Sequence, residues 1–174
     1  MKHRLALVLG LFVAALAISA PASADVGIGG GALIGSGTNL GGHAENNPYK
    51  LQVGGYGELD LGNLLIGIRG TRSLGSDPAR CDTKKCRDVD DLRTFGGDFG
   101  YIWHLPVLHL GPRLGIGYLD EPDGDRVGAY FEPGFSLDAK LLLFNVGGEI
   151  RYRVVAGESD ANGFIAYLRL GLRL

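Results

Sequence analysis

The sequence predicts an all-β fold: an eight-stranded antiparallel up-and-down transmembrane β-barrel. Three observations predict it. Apolar residues alternate with polar residues or glycine in eight successive runs, and a period of two marks strands with two unlike faces. The connections between the runs alternate short and long, as they do in a barrel built from hairpins. Thirty of the 174 residues are glycine, many of them inside those runs, where glycine ordinarily weakens a strand and so needs a reason.

Residues 1–24 precede the first run. Lys2, His3 and Arg4 form a basic start, an apolar stretch follows, and Ala22-Ser23-Ala24 closes it. This is the layout of a cleaved secretory signal peptide. Gly10 and Ser19 interrupt a stretch already short for a membrane anchor. Residues 25–174 then form a single domain. Losing Lys2 and Arg4 with the leader takes the formal charge from −2 to about −4, so no basic footprint for nucleic acid exists. No later stretch of about 18 apolar residues offers a transmembrane helix. The two cysteines, Cys81 and Cys86, sit in "RCDTKKCRD", and export makes a local disulfide between them the expectation.

The first run, Val26 to Gly35, sets Val26, Ile28, Ala32 and Ile34 on one face. The second, Tyr49 to Leu61, sets Tyr49, Leu51, Val53, Leu59 and Leu61 against Lys50, Gln52, Tyr56, Glu58 and Asp60. The third, Leu64 to Leu74, opposes Leu64, Ile66 and Ile68 to Gly67, Arg69, Thr71 and Ser73. In the fourth, Leu92 to Trp103, Phe95, Phe99, Tyr101 and Trp103 oppose Thr94, Gly96, Asp98 and Gly100.

The fifth, Leu108 to Leu119, places Leu108, Leu110, Leu114, Ile116 and Tyr118 opposite His109, Gly111, Arg113, Gly115 and Gly117. The sixth, Val127 to Asp138, opposes Phe131, Phe135 and Leu137 to Tyr130, Glu132, Gly134 and Ser136. In the seventh, Leu141 to Val154, Leu142, Phe144, Val146, Ile150 and Tyr152 oppose Asn145, Gly147, Glu149, Arg151 and Arg153. The eighth, Phe164 to Leu174, alternates leucine with arginine and glycine. Short turns are expected at Gly62-Asn63, His104 to Val107 and Ala139-Lys140, with longer polar connections at 36–48, 75–91, 120–126 and 155–163.

Glycine lies largely on the charged face, and eight strands enclose a lumen only just wide enough for side chains. Glycine beside arginine makes room in such a lumen, whereas a solvated outer face has no use for it. Aromatic residues collect at strand ends on the apolar face: Tyr49, Tyr118, Tyr152 and Phe164 toward the long connections, Tyr101 and Trp103 toward a short turn. They read as two interfacial girdles. The apolar face therefore points to lipid and the charged face inward. A soluble barrel of the opposite sense would overcrowd its core.

At this point the sequence resembles the small eight-stranded outer-membrane barrels of Gram-negative bacteria, of the outer-membrane protein A and X kind. The resemblance covers residues 25–174 and rests on pattern. It implies residence in the cell outer membrane, contact with outer-membrane lipids, insertion by the barrel-assembly machinery and a monomeric state. Such barrels usually end in an aromatic residue with a glycine five positions earlier. Here those places hold Leu174 and Arg169.

Turn geometry fixes the expected register. A turn at 104–107 puts Asp98 opposite Arg113, with Glu132 close enough to share the arginine. A turn at 62–63 puts Tyr56 opposite Arg69, with Glu58 diagonal to it. Glu58, Arg69, Asp98, Arg113, Glu132 and Arg169 then form a lumen layer of three acids and three bases. A neutral salt-bridge plug is preferred to an ion path, because buried charges persist only when paired.

Other candidates carry less. Asp77, Asp82, Asp88, Asp90 and Asp91 are interspersed with Lys84, Lys85 and Arg87, which favours a solvated loop over a cation site. His104 and His109 flank one turn, and a metal pair there is a minor reading. His43, Ser36 and Ser159 lie in long connections without the pairing of base and nucleophile that catalysis needs. No catalytic, cofactor or metal motif is present. The sequence reads as a non-enzymatic outer-membrane barrel with an envelope-structural or surface-contact role. A narrow porin-like passive channel is the alternative, followed by a lipid A-modifying enzyme and a soluble exported binding barrel.

Overall fold

The computed structural model describes residues 26–40, 49–74, 92–120, 127–157 and 162–174. They fold into one antiparallel sheet: β1 (Val26–Asn39), β2 (Gln52–Leu61), β3 (Leu64–Ser73), β4 (Arg93–Tyr101), β5 (Trp103–His104), β6 (Leu108–Asp120), β7 (Val127–Leu141), β8 (Phe144–Val155) and β9 (Gly163–Arg173). Strands β1 to β4 and β6 to β9 pair in sequence order, both β4 and β5 pair with β6, and β1 pairs with β9, so the sheet closes on itself. No helix among the described residues is long and apolar enough to cross a membrane.

Nine strands stand where eight are expected because one strand is interrupted. Gly100 pairs with Arg113 and Trp103 with Leu110, so the register is unchanged across the gap. The residues left unpaired with β6, Tyr101 and Ile102, stand opposite Pro112 and Gly111, and Pro112 carries no N–H for the ladder. β4 and β5 are therefore one wall of an eight-stranded barrel.

The two faces are as unlike as the alternation implies. Phe95 (66 % exposed), Ile150 (63 %) and Ile28 (62 %) point outward, while Arg69, Glu132 and Arg153 are at most 2 % exposed. The lumen glycines owe their identity to this crowding. A Cβ on Gly115 would meet Arg151 Nη1 at 2.9 Å, and one on Gly171 would collide with the Tyr56 hydroxyl. On the outward face, a Cβ on Gly148 would meet nothing nearer than the Tyr167 carbonyl oxygen at 3.6 Å.

Several expectations are corrected. The β7–β8 turn lies at Leu142–Leu143, not at Ala139-Lys140, because the ladder continues to Leu141 opposite Phe144. Leu142 takes a φ of 58° there, a left-handed conformation that costs an L-residue about 1–2 kcal/mol. In the hairpin of β5 and β6, His104 pairs with His109, so the strands slide by two residues relative to the expected register. Asp98 consequently faces Gly115, and Arg113 faces Gly100. A slip of two preserves parity, so both charges stay in the lumen but no longer oppose each other. Tyr56 does pair with Arg69.

Two of the six girdle aromatics are also corrected. Tyr49 is fully buried. It precedes β2, where strand alternation no longer governs direction, and its ring lies 5.1 Å from the Arg153 guanidinium. Tyr101 is 4 % exposed. Its hydroxyl accepts a 2.7 Å hydrogen bond from Asn63, and its ring meets Trp103 edge-on at 5.6 Å. Tyr118 and Phe164 are exposed, with Trp103 and Tyr152 half-buried. The rings of Tyr152 and Phe164 meet at a tilt, 4.8 Å apart.

Candidate functional site

The barrel interior is the site. Alternation alone sends Glu58, Asp60, Arg69, Asp98, Arg113, Glu132, Asp138, Glu149, Arg151, Arg153, Arg169 and Arg173 inward, and all are buried. Among the described residues this makes six buried carboxylates and six buried guanidiniums. Formal charge therefore cancels inside a wall that excludes water, the condition under which buried ions persist.

Ten of the twelve form one continuous lattice. Glu149 is its hub, contacting Arg69 at 2.7 Å, Arg151 at 3.1 Å and Arg169 at 3.2 Å. Arg151 grips Asp98 through two hydrogen bonds of 2.7 and 2.8 Å and reaches Glu132 at 3.9 Å. Glu132 in turn accepts from Arg153. On the other side, Glu58 accepts from Arg113 at 2.9 Å and from Arg169 at 2.8 Å. Asp138 lies 3.5 Å from Arg113 and 3.3 Å from Arg169. The remaining pair is Arg173 with Asp60.

The six residues singled out by sequence are brought together only in part. Glu58, Arg113 and Arg169 meet directly, and Arg69 approaches Asp98 at 3.8 Å. Glu132 does not share Arg113; it belongs to Arg153 and Arg151. Asp98 and Arg113 are not partners, since Arg151 holds the one and Glu58 the other. Glu149 and Arg151 join the two groups, and inward parity marked both in the sequence. Their height depends on the turn before β8, which the ladder moves from Ala139-Lys140 to Leu142–Leu143.

Aromatic faces complete the cationic side. Arg69 lies 4.7 Å from the Tyr167 ring, Arg169 4.2 Å from Tyr56 and Arg153 5.0 Å from Tyr130. Such contacts contribute most when desolvated. Above the lattice, toward the long connections, Leu33, Tyr49, Leu92, Leu119, Tyr130, Val155, Ile165 and Tyr167 pack as a buried apolar cluster. Sequence reasoning missed this cluster. The available signal was apolar residues breaking the polar parity, at Leu33 in the middle of β1 and at Leu119 and Ile165 near strand ends.

At the opposite end a cavity of about 360 Å³ opens between the short turns, lined in part by Asp60, His104, His109, Lys140 and Arg173. The His104 and His109 rings meet edge-on at 4.6 Å. Arg173 donates to His109 Nδ1 at 2.7 Å, and His104 Nε2 donates to the Gly62 carbonyl at 2.9 Å. A guanidinium against His109 disfavours a metal cation there. Ser36, on the far side of the barrel, donates to the Lys50 carbonyl. Cys81, Cys86, His43, Ser159 and the acidic loop residues fall outside the described residues.

This architecture is shared with small outer-membrane barrels of known structure. The N-terminal β-barrel domain of Pseudomonas aeruginosa OprF matches with a TM-score of 0.58 at 12 % identity, covering 85 % of this chain and 97 % of that one. Neisserial surface protein A matches with a TM-score of 0.54 at 14 % identity over 89 % and 99 %. Ail, the attachment invasion locus protein of Yersinia pestis, matches at 0.53 and 15 % over 86 % and 97 %. The fold is thus the closed eight-stranded antiparallel barrel of these proteins. No known protein family and no curated protein matches the sequence.

Proposed function

We propose that this chain is a non-enzymatic integral outer-membrane barrel, closed to ions, that serves the cell envelope through its lipid-facing wall and presents its long connections at the cell surface. The observation that carries the reading is the reversal of burial. Phe95, Ile150 and Ile28 cover the outside, far beyond the apolar patches that soluble monomers tolerate, while arginine and carboxylate fill the inside. A closed barrel is the one sheet that satisfies its backbone in hydrocarbon. The fold shared with OprF, Ail and the Neisserial protein supports the same setting.

In this reading residues 1–24 are removed on export, the assembly machinery inserts the barrel as a monomer, and Cys81 bonds to Cys86 in the second long connection. The lattice acts as a neutral plug, and the apolar cluster above it supports closure rather than a channel. The enzyme reading is disfavoured because the sequence pairs no base with a nucleophile among His43, Ser36 and Ser159. Conductance in planar lipid bilayers tests the proposal. The refolded barrel is expected to leave the membrane electrically silent, and discrete reproducible current steps would replace the plug with a passive channel.

A further inference from the structure

Two of the short turns share a backbone and differ in what they carry. The β2–β3 turn at Gly62-Asn63 and the β7–β8 turn at Leu142–Leu143 are each closed by an apolar pair, Leu61 with Leu64 and Leu141 with Phe144. In both, the first turn residue takes a positive φ, 64° at Gly62 and 58° at Leu142. Glycine adopts that conformation freely, whereas an L-residue does so under strain. Among the described residues, Leu142 is the only non-glycine that does. Its side chain is 89 % exposed, so packing within the barrel does not offset the strain.

Leu142 stands on a broader apolar ledge. Leu141, Leu143 and Phe144 around it are exposed, and so are Leu105 and Val107 in the neighbouring β5–β6 turn. The Lys140 N–H donates to the Val107 carbonyl at 2.9 Å, and the Arg173 N–H donates to the Leu143 carbonyl at 2.9 Å. The two tips are thereby tied to each other and to β9. Neither turn carries an acidic residue. Toward the wall, the outward positions Leu137, Ala139 and Leu141 on β7 and Phe144 and Val146 on β8 continue the apolar surface without a polar interruption. A docking face for a soluble protein would be set apart from a lipid-facing wall by polar residues, whereas this ledge is continuous with it. On the opposite side of the barrel the β2–β3 turn is polar, and the Asn63 amide donates to the Tyr101 hydroxyl.

We propose that the ledge is an interfacial anchor seated in the leaflet at the short-turn end, with Leu142 and Leu143 among the headgroups and upper acyl carbons, so that the barrel sits deeper on the side of β7 and β8 than on the side of β2 and β3. The leaflet then supplies the apolar contact that the strained Leu142 lacks within the barrel. The proposal rests on the barrel standing in a membrane and is independent of what the long connections contact.

Tryptophan depth in nanodiscs tests it. Trp103, the single tryptophan, is first replaced by phenylalanine. One tryptophan is then introduced at a time, as Leu142→Trp, Asn63→Trp or, on the wall, Ile150→Trp. Each variant is required to give the heat-sensitive gel mobility of a folded barrel. The nanodiscs hold phosphatidylcholine brominated either just below the headgroup or near the bilayer centre, and both faces stay open to aqueous iodide. Leu142→Trp is expected to emit at shorter wavelength than Asn63→Trp and to lose about half its fluorescence to the shallow bromine, because an apolar interfacial segment lies about 5–10 Å into the headgroup boundary. Asn63→Trp should be quenched by iodide instead. With Ile150→Trp quenched by bromine, iodide quenching of Leu142→Trp as strong as that of Asn63→Trp would overturn the proposal and leave the ledge to a water-borne partner. Equal quenching of the two turn variants by the shallow bromine would overturn the uneven seating. Absence of bromine quenching at Ile150→Trp would instead remove the membrane reading, and the anchor with it.

Discussion

Arg151 on β8 clamps Asp98 on β4 across the barrel, with hydrogen bonds of 2.7 and 2.8 Å to the two carboxylate oxygens. The contact spans the lumen, so it ties together strands that are not neighbours in the sheet. Its geometry is bidentate, the strongest form of the arginine–carboxylate pair. A double-mutant cycle should detect it. Arg151→Gln and Asp98→Asn are each expected to cost about 3–5 kcal/mol by stranding a buried charge, and the double variant should cost less than the sum. Urea unfolding in lipid vesicles measures all three; additive losses would separate the residues.

The glycines offer a second contrast. Gly115→Ala drives a methyl group to 2.9 Å from Arg151 Nη1 and 3.2 Å from Asp98 Oδ1, and overpacking of this kind costs about 1–3 kcal/mol. Gly148→Ala on the outer wall, with its nearest contact at 3.6 Å, should stay within about 0.5 kcal/mol of wild type. The same unfolding assay compares them. Equal losses at the two sites would mean that the lumen has slack where the structure has none.

Much of this was legible in the sequence, and the reason is the period of two. Parity alone placed Arg69, Glu132, Arg169 and their companions inside and Phe95, Ile116 and Leu170 outside. Parity is blind to sliding, however. The hairpin at 105–108 shifted Asp98 from Arg113 to Gly115, and an even shift changes every partner while changing no face. Tyr49 escaped because it lies before β2, where parity has no hold.

Closure of the sheet has a consequence on gels. With β1 paired to β9 and β4 to β6, no long edge is left open to detergent. The unheated protein in SDS is expected to migrate apart from the boiled sample. Identical mobility, with ready extraction by carbonate, would speak against an integral barrel.

The cysteine pair is expected to be dispensable for insertion. A loop as short as 81–86 restrains the unfolded chain by about 2–3 kcal/mol at most, and the strands carry the register without it. The protein with Cys81→Ser and Cys86→Ser should therefore show the same gel shift as wild type. Failure of that variant to insert would give the second long connection a part in assembly.

That cysteine-free background permits the decisive measurement. Single spin labels are placed at the outward positions Ile68, Phe99, Ile116, Ile150 and Leu170, one on each of five strands. In lipid vesicles their collision rates with oxygen, which concentrates in hydrocarbon, are compared with those of a water-soluble nickel chelate. The lipid-facing barrel predicts high oxygen and low nickel accessibility at all five. Nickel accessibility at these sites equal to that of a label on an exposed loop would place the apolar wall in water and contradict the account.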